Sequence, residues 1–139
     1  MNLTGRERQS INPPATRAIY DQLHFSQATR VGDLIWVSGQ VGIDPQVMKP
    51  ADGVEAQTRL AFENLRTVLR AAGASLADIV ELTTFHVDLR GGMAEFSGVK
   101  DAYLPDRYPS WTAVGTDQLA LPELVVEIRA VAVAGSGDA

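Results

Sequence analysis

The stretch LVVEIRAVAVA, residues 124–134, decides the fold of this chain. Successive side chains of a β-strand point to opposite faces of the sheet. Alternation divides the apolar side chains of the stretch into two sets: Val126, Ile128, Ala130 and Ala132 on one face, and Val125, Val131 and Val133 on the other. A strand that is apolar on both faces is typical of the interior of a sheet with a cover on each side. The stretch therefore predicts a central strand and two faces that need covering.

Four more stretches predict strands of the same sheet. Residues 24–29 and 34–40 flank Arg30-Val31-Gly32-Asp33, where a glycine beside an aspartate favours a tight reversal, so the pair predicts a hairpin. Residues 79–89 (IVELTTFHVDL) are rich in β-branched residues, and residues 110–115 form a further short strand. Together with residues 124–134 they give five predicted strands.

Two amphipathic segments lie between these strands. Apolar residues recur at helical intervals over residues 54–72, behind a capping-box spacing of Asp52 and Glu55. Gly73 is the predicted C-terminal cap of this first helix. The second helix, over residues 93–104, precedes a proline that cannot continue it.

The order β, β, α, β, α, β, β predicts an α+β fold with a mixed sheet and both helices on one face, because crossover connections are right-handed. Two helices cannot cover the second apolar face. We therefore expect that face to pack against copies of the chain in a closed symmetric oligomer, with sites between subunits.

The 139 residues predict one domain, with an irregular lead-in at residues 1–22 and a mobile tail at residues 135–139. A net charge of -5 disfavours nucleic acid as a partner. The chain has no cysteine, no apolar signal core and no stretch long enough to span a membrane, so we expect a cytoplasmic protein without membrane contact. With two histidines and no H-E-x-x-H pattern, we expect no metal site.

Glu127 is the candidate catalytic group, because it lies between Val126 and Ile128 in an apolar strand. Burial raises the pKa of a carboxyl and so prepares it for general acid or base catalysis. The alternative is a structural ion pair with Arg129 on the same face. His86 and Asp88 also alternate onto one face, although a histidine satisfied by a neighbouring residue is the more common arrangement.

The segments GDLIWVSGQVG, QTRLAFENLRTVLRAAGASLADIV, LTTFHVDL, YPSWTAVG and VEIRAVAV together resemble the RidA/YjgF (reactive intermediate deaminase) family, and the YPSWTAVG segment resembles its YjgH-like branch. The resemblance covers nearly all of residues 25–134. It implies a chorismate-mutase-like (ferredoxin-like) fold, a homotrimer with a barrel core and three inter-subunit clefts, and hydrolysis of enamines or imines such as 2-aminoacrylate without a cofactor. An older label of the family, endoribonuclease L-PSP, is not favoured by the acidic charge.

The resemblance also implies a set of cleft residues. The tyrosine, serine, asparagine, arginine and glutamate of archetypal members fall on Phe25, Ser38, Ser97, Trp111 and Glu127 of this chain. Only Ser38 and Glu127 keep the family's residue. Ser38 is expected to form a hydrogen bond at the cleft floor, the alternative being a turn serine bonded to its own backbone.

Trp111 stands where the family has the arginine that grips a carboxylate. An indole offers one N–H donor and a π-face, whereas a guanidinium offers two charge-assisted hydrogen bonds. We therefore expect a substrate other than 2-aminoacrylate, with Trp111 and Phe25 shaping its binding site and Arg129 or Arg107 as possible replacement cations. In the alternative interpretation Trp111 only packs between subunits, and the chain is a trimeric small-molecule-binding protein without catalysis.

Overall fold

The computed structural model of the chain describes residues 5–138. The strands are β1 (Gln9–Ile11), β2 (Ala28–Val31), β3 (Leu34–Val41), β4 (Ile43–Asp44), β5 (Lys49–Pro50), β6 (Ile79–His86), β7 (Ser110–Gly115) and β8 (Val126–Val133). The helices are α1 (Arg17–Leu23), α2 (Gly53–Ala71) and α3 (Leu89–Tyr103), with short 3-10 turns at Pro14–Thr16, Leu76–Asp78 and Ser136–Asp138.

Strand β8 occupies the middle of the main sheet, as its two apolar faces predict. Six strands follow the order β1-β2-β3-β8-β6-β7, and β8 runs antiparallel to both β3 and β6. Strands β6 and β7 are parallel, and α3 forms the crossover between them. The result is the mixed α+β sheet that the sequence predicts.

One face of the sheet carries α2 and α3, and the core lies between. Phe62, Leu65 and Leu69 of α2 and Phe96 of α3 are fully buried against alternate residues of β8. The other face keeps large apolar side chains exposed to solvent in the single chain. Leu34 and Trp36 of β3 are 44% and 38% exposed, and they lie beside Val133 and Val131 of β8.

The lead-in at residues 1–22 differs from the irregular segment that the sequence predicts. Its described part forms β1, which pairs with β2, and α1, which ends at His24 with a φ of 61°. Residues 24–27 therefore belong to a helix end and a loop, and the hairpin strand begins at Ala28. A three-residue strand is too short to carry a detectable apolar period, which is why the sequence does not reveal it.

Helix α2 lies where the sequence predicts it, whereas α3 begins at Leu89, four residues before the predicted start, and replaces the end of the strand predicted over residues 79–89. The caps also differ in detail. Gly73 adopts the predicted left-handed conformation after α2, with a φ of 85°. The side chain of Asp52 makes no capping hydrogen bond, so the capping box with Glu55 does not form. Instead Asp88, predicted to end a strand, caps α3 by accepting a hydrogen bond from the Gly91 backbone N–H.

In the tail predicted to be mobile, the Gly137 backbone N–H donates to Asp78 Oδ1 at 2.8 Å. Residues 1–4 and Ala139 lie outside the described residues. Within residues 5–138 no helix is both long enough and apolar enough to cross a bilayer.

Candidate functional site

Glu127 lies on the open face of β8, between Val41 of β3 and Phe85 of β6. Its carboxyl group rests against Gly39, which lies in an irregular part of β3 where the register with β8 shifts. A Cβ atom at Gly39 would come within 2.6 Å of Glu127 Cδ and 2.7 Å of Oε2. The missing side chain at residue 39 therefore makes the space that the carboxyl group occupies.

The electrostatic surroundings of Glu127 favour its neutral form. Burial raises the pKa of the Glu127 carboxyl above its ordinary value. Within residues 5–138 no side chain or backbone N–H donates a hydrogen bond to that carboxyl. The predicted alternative, an ion pair with Arg129, does not form. The Arg129 guanidinium instead lies beside Glu81, with Nη1 4.0 Å from Glu81 Oε1. The carboxyl is thus desolvated without a compensating cation in the single chain, the arrangement that suits general acid or base catalysis.

Ser38 lies next to Gly39 and connects the site to the loop before β2. Its Oγ–H donates to the Ser26 carbonyl at 2.7 Å, and its backbone N–H donates to the Gln27 carbonyl at 2.9 Å. Phe25, the residue before Ser26, is 43% exposed. Ser38 is therefore adjacent in sequence to Gly39, against which the Glu127 carboxyl lies, and Phe25 belongs to the adjoining loop.

Trp111 points to the helix-covered side of β7. Its Nε1–H donates to Thr84 Oγ1 at 2.9 Å, and its ring stacks on Phe96 of α3 at 5.9 Å between centroids. The single N–H donor of the indole is therefore engaged within the chain. Trp111 remains 37% exposed, so part of its π-face is open to a ligand or a partner.

Trp111 and Glu127 cannot line one pocket within a single chain. Trp111 pairs with Leu82, and Leu82 pairs with Ala130, three residues along β8 from Glu127. Spacings of about 3.3 Å per residue and about 4.8 Å per strand put their Cα atoms roughly 14 Å apart. Their side chains also lie on opposite faces of the sheet. A shared site would require a second copy of the chain.

The remaining predicted residues are engaged elsewhere in the single chain. Ser97 Oγ–H donates to Met93 Sδ one turn earlier on α3, at 3.4 Å. The Arg107 guanidinium donates to the carbonyls of Ser136 and Gly137 and so holds the C-terminal turn. Arg129 pairs with Glu81, as described above.

Sequence reasoning missed Lys100, which the structure places beside Trp111. Lys100 is 8% exposed, and its Nζ lies 4.8 Å from the Trp111 ring centroid and 5.9 Å from that of Tyr108. The ammonium also donates to Asp101 Oδ1 at 3.1 Å. We call these residues, Lys100, Tyr108 and Trp111, the cationic cluster. Its signal in the sequence is a lysine four residues after Phe96, on the apolar face of the second predicted helix.

His86 does not pair with Asp88, whose side chain caps α3. Its Nε2 instead shares a hydrogen bond of 2.7 Å with Thr84 Oγ1, the same hydroxyl that accepts from Trp111. Burial lowers the pKa of His86 below its ordinary value. The histidine is therefore the neutral, neighbour-satisfied residue that the more common arrangement predicts.

The fold and the site define a class of protein: an α+β subunit with one open sheet face and a desolvated carboxyl in its central strand. The family profile described as Endoribonuclease L-PSP matches residues 15–134. The chain belongs to this family, which includes the YjgF/RidA proteins.

Individual relatives agree with the profile. The RutC family protein YjgH of Escherichia coli is 39% identical over 115 residues, 82% of this chain and 87% of the relative. A Salmonella typhimurium protein named 2-iminobutanoate/2-iminopropanoate deaminase is 32% identical over 111 residues, 78% of this chain and 86% of the relative. The solved structure of YjgH superposes with a TM-score of 0.83 at 37% identity, covering 92% of this chain and 97% of that one. The neighbouring structures carry the chorismate-mutase-like fold.

Proposed function

We propose that this protein hydrolyses a reactive imine or enamine to a carbonyl compound and ammonia, with Glu127 as the general base. The observation that carries the proposal is the desolvated carboxyl of Glu127, whose pKa burial raises and which no described residue neutralises. A family relative named as an iminobutanoate and iminopropanoate deaminase supports the same general chemistry.

The reaction needs little more than a positioned water molecule and a base. An enamine first tautomerises to its imine; water then adds to the C=N carbon while Glu127 accepts a proton from the water. Glu127 returns this proton to the nitrogen, and the resulting carbinolamine loses ammonia to give the carbonyl compound. One water is consumed, one ammonia is released and the carboxylate is regenerated. A carboxylate whose pKa is raised toward neutrality is a stronger base than an ordinary one.

The site would be completed in a homotrimer. Supporting this, the open face of the sheet exposes Leu34 and Trp36, and Trp111 lies on the far side of the same sheet from Glu127. In this arrangement the cationic cluster of one subunit faces the Glu127 of its neighbour. No nucleic acid is needed, and the net charge of -5 opposes one.

The cationic cluster suggests the kind of substrate. One N–H of the Lys100 ammonium is bonded to the exposed Asp101 carboxylate, and its remaining N–H groups can donate to an anionic group. The two aromatic faces leave apolar area for a flat body. We therefore favour an imino acid with a planar side chain larger than that of 2-aminoacrylate, held by Lys100 at its carboxylate and by Trp111 at its side chain.

The test is a panel of imines generated in place from amino acids by an oxidase, with keto-acid release followed against a competing carbonyl trap. We expect the protein to accelerate release, and most strongly for imines with aromatic side chains. Rates equal to those of the uncatalysed reaction for every imine of the panel would contradict the proposal.

Replacing Lys100 with methionine should weaken substrate binding more than turnover. Loss of one charge-assisted contact, worth about 1.5–3 kcal/mol, raises KM by about 10- to 150-fold while kcat changes little. The comparison is steady-state kinetics on an imino acid and on its uncharged amide. The matched control is Lys49→Met at the exposed turn strand β5, and Lys100→Arg should retain most of the affinity. An equal loss for acid and amide would contradict this role of Lys100.

Adding a methyl group at Gly39 should disturb catalysis with little effect on stability. The new Cβ would overlap the Glu127 carboxyl, which is the end of a flexible side chain and moves away easily. We expect Gly39→Ala to lower kcat by about tenfold or more, with a stability change under about 1 kcal/mol. The control is Gly98→Ala on α3, where no heavy atom lies within 4 Å of the added Cβ. Unchanged kcat in Gly39→Ala would show that the carboxyl position is not critical.

A second candidate function is ligand binding without turnover. It is favoured by the engagement of the Trp111 N–H with Thr84 in place of a guanidinium aimed at a ligand. A thermal-shift screen separates the two functions, because a bound ligand stabilises the protein without being consumed. Consumption of the stabilising compound would identify the enzyme.

A further inference from the structure

A cavity of about 250 Å³ lies at the end of the sheet, between β6, β8 and the first turns of α2 and α3. Its volume equals that of about eight liquid water molecules, smaller than a pocket for a drug-sized ligand. The lining is mostly apolar or lacks side chains: Val54, Val87, Gly91, Gly92, Val125 and Val126. The cavity is thus suited to a small and largely apolar molecule.

Two polar residues also line this cavity, and they differ in what they can offer. Asp88 uses Oδ1 to accept a hydrogen bond from the Gly91 N–H, and its negative charge repels anions. His86 is only 1% exposed, and burial lowers its pKa and keeps the ring neutral. His86 is therefore the polar residue of the lining that can form a hydrogen bond to an uncharged ligand.

The neighbours of His86 fix which ring nitrogen carries the proton. The Trp111 indole is a donor only, so Thr84 Oγ1 accepts its hydrogen bond at 2.9 Å. Within residues 5–138, the other partner of this buried hydroxyl is His86 Nε2, at 2.7 Å. The Thr84 O–H therefore donates to Nε2, and the proton of the neutral imidazole is on Nδ1.

The Nδ1–H has no hydrogen-bond acceptor within the described part of the chain. Every fully buried side-chain nitrogen and oxygen among residues 5–138 has a hydrogen-bond partner. Because Nδ1 has none, it is not fully buried and keeps some accessible surface. His86 is among the residues that line the cavity, so the small accessible part of its ring is assigned to that space. A neutral N–H donor therefore faces a small apolar cavity.

We propose that this cavity binds a small uncharged molecule with one carbonyl oxygen, which accepts a hydrogen bond from His86 Nδ1. We call it the His86 cavity. The cavity lies at the end of the sheet, on the face that the helices cover, whereas Glu127 lies on the open face. Its ligand is therefore not the substrate of the proposed hydrolysis. The chain Trp111–Thr84–His86 links the donor to the cationic cluster, so occupancy of the two regions is coupled through the hydrogen bonds of one threonine.

The experiment is a long-range proton–nitrogen NMR correlation of the imidazole rings in the ¹⁵N-labelled full chain. The sequence has only two histidines, and a His24→Asn variant leaves His86 as the single source of signal. Asparagine tolerates the left-handed conformation that His24 adopts, so this variant should fold. We expect the free protein to show the Nδ1–H form of His86, and a dominant Nε2–H form would overturn the proposal.

Cyclohexanone is the probe, because it is uncharged, largely apolar and carries one carbonyl oxygen. We expect a saturable shift of the His86 ring signals with a dissociation constant on the order of millimolar, as suits so small a ligand. Cyclohexanecarboxylate should cause no saturable shift, since it carries a charge that Asp88 repels. Failure of cyclohexanone to shift His86 saturably up to its solubility limit would overturn the proposal.

Two variants fill the cavity from different parts of the chain, so that the test can still be made with one of them if the other does not fold. Val54→Phe places a ring in the cavity from α2, and Val125→Phe places one from the residue before β8. Val47→Phe, in a turn where residue 47 is 66% exposed, is the matched control. We expect either filled variant that keeps the amide spectrum of the folded protein to lose the shift, while the control keeps it. Retention of the shift in such a filled variant would place the ligand elsewhere and refute the proposal.

Discussion

Replacement of Glu127 by glutamine is expected to lower the rate of imine hydrolysis by at least about 100-fold, the usual contribution of a general base. Glutamine has nearly the same shape as the glutamate, so it fits the space against Gly39, but it cannot accept a proton from water. The measurement is kcat/KM for the best imine of the panel. The control is Glu81→Gln, which removes a carboxylate from the neighbouring strand β6 whose ion-pair partner within residues 5–138 is Arg129.

The pH dependence provides a second measurement on the same group. If Glu127 is the base, its carboxylate is the active form, so activity falls as the pH drops through the pKa that burial has raised. The acidic limb of the wild-type profile should therefore lie above the ordinary pKa of a glutamate, and it should be absent from Glu127→Gln. An acidic limb that persists unchanged in the variant would assign it to another group.

The stability of Glu127→Gln separates lost chemistry from lost structure. A carboxyl whose pKa is higher in the folded than in the unfolded state makes folding less favourable as pH rises through that interval. The neutral glutamine removes this penalty. At neutral pH the variant should therefore unfold at the same or a higher denaturant concentration than the wild type, even though it is inactive.

Replacement of Gln57 by leucine is expected to destabilise the protein by about 3 kcal/mol or more. Gln57 is 1% exposed, and its Nε2 donates to the carbonyls of Ala51 and Glu123 at 3.0 Å and 2.7 Å. Its Oε1 accepts from the Val125 backbone N–H at 2.9 Å. Leucine would leave three backbone groups without partners: those of Glu123 and Val125, just before the strand that carries Glu127, and that of Ala51, just before α2.

Urea unfolding at one fixed protein concentration measures this effect, because subunit association would make stability depend on concentration. The matched control is Gln22→Leu on α1, where the side chain is exposed and the change should stay within about 0.5 kcal/mol. A loss of less than about 1 kcal/mol in Gln57→Leu would mean that water or a rearranged loop satisfies the three backbone groups.

The strand predictions succeed where the apolar pattern is strong. Alternation in residues 124–134 places β8 in the middle of the sheet, and residues 110–115 coincide with β7. The prediction of an irregular lead-in is wrong because that segment has no strong apolar pattern. Strand β1 has three residues, and only its pairing with β2, from Gln9↔Arg30 to Ile11↔Ala28, makes it a strand.

The candidate site divides in the same way. Glu127 and Ser38 are recognisable from local sequence, because one interrupts an apolar strand and the other lies in a family motif. The local signal of Lys100, a lysine on the apolar face of a predicted helix, does not reveal its partner. Trp111 follows it by eleven residues and approaches it only when β7 pairs with β6. The position of the Glu127 carboxyl likewise depends on tertiary structure, because the shifted register between β3 and β8 places Gly39 against it.

The sequence by itself determined the α+β class, the central strand, both covering helices and the carboxylate in an apolar setting, because each follows from a period or a burial preference within one segment. The tertiary structure decided which side chains meet: Glu127 with Gly39, Lys100 with Trp111, and His86 with Thr84 beside a cavity. The physical reason is that these contacts join residues from different elements, and strand register and helix packing, which set their distances, are properties of the assembled fold.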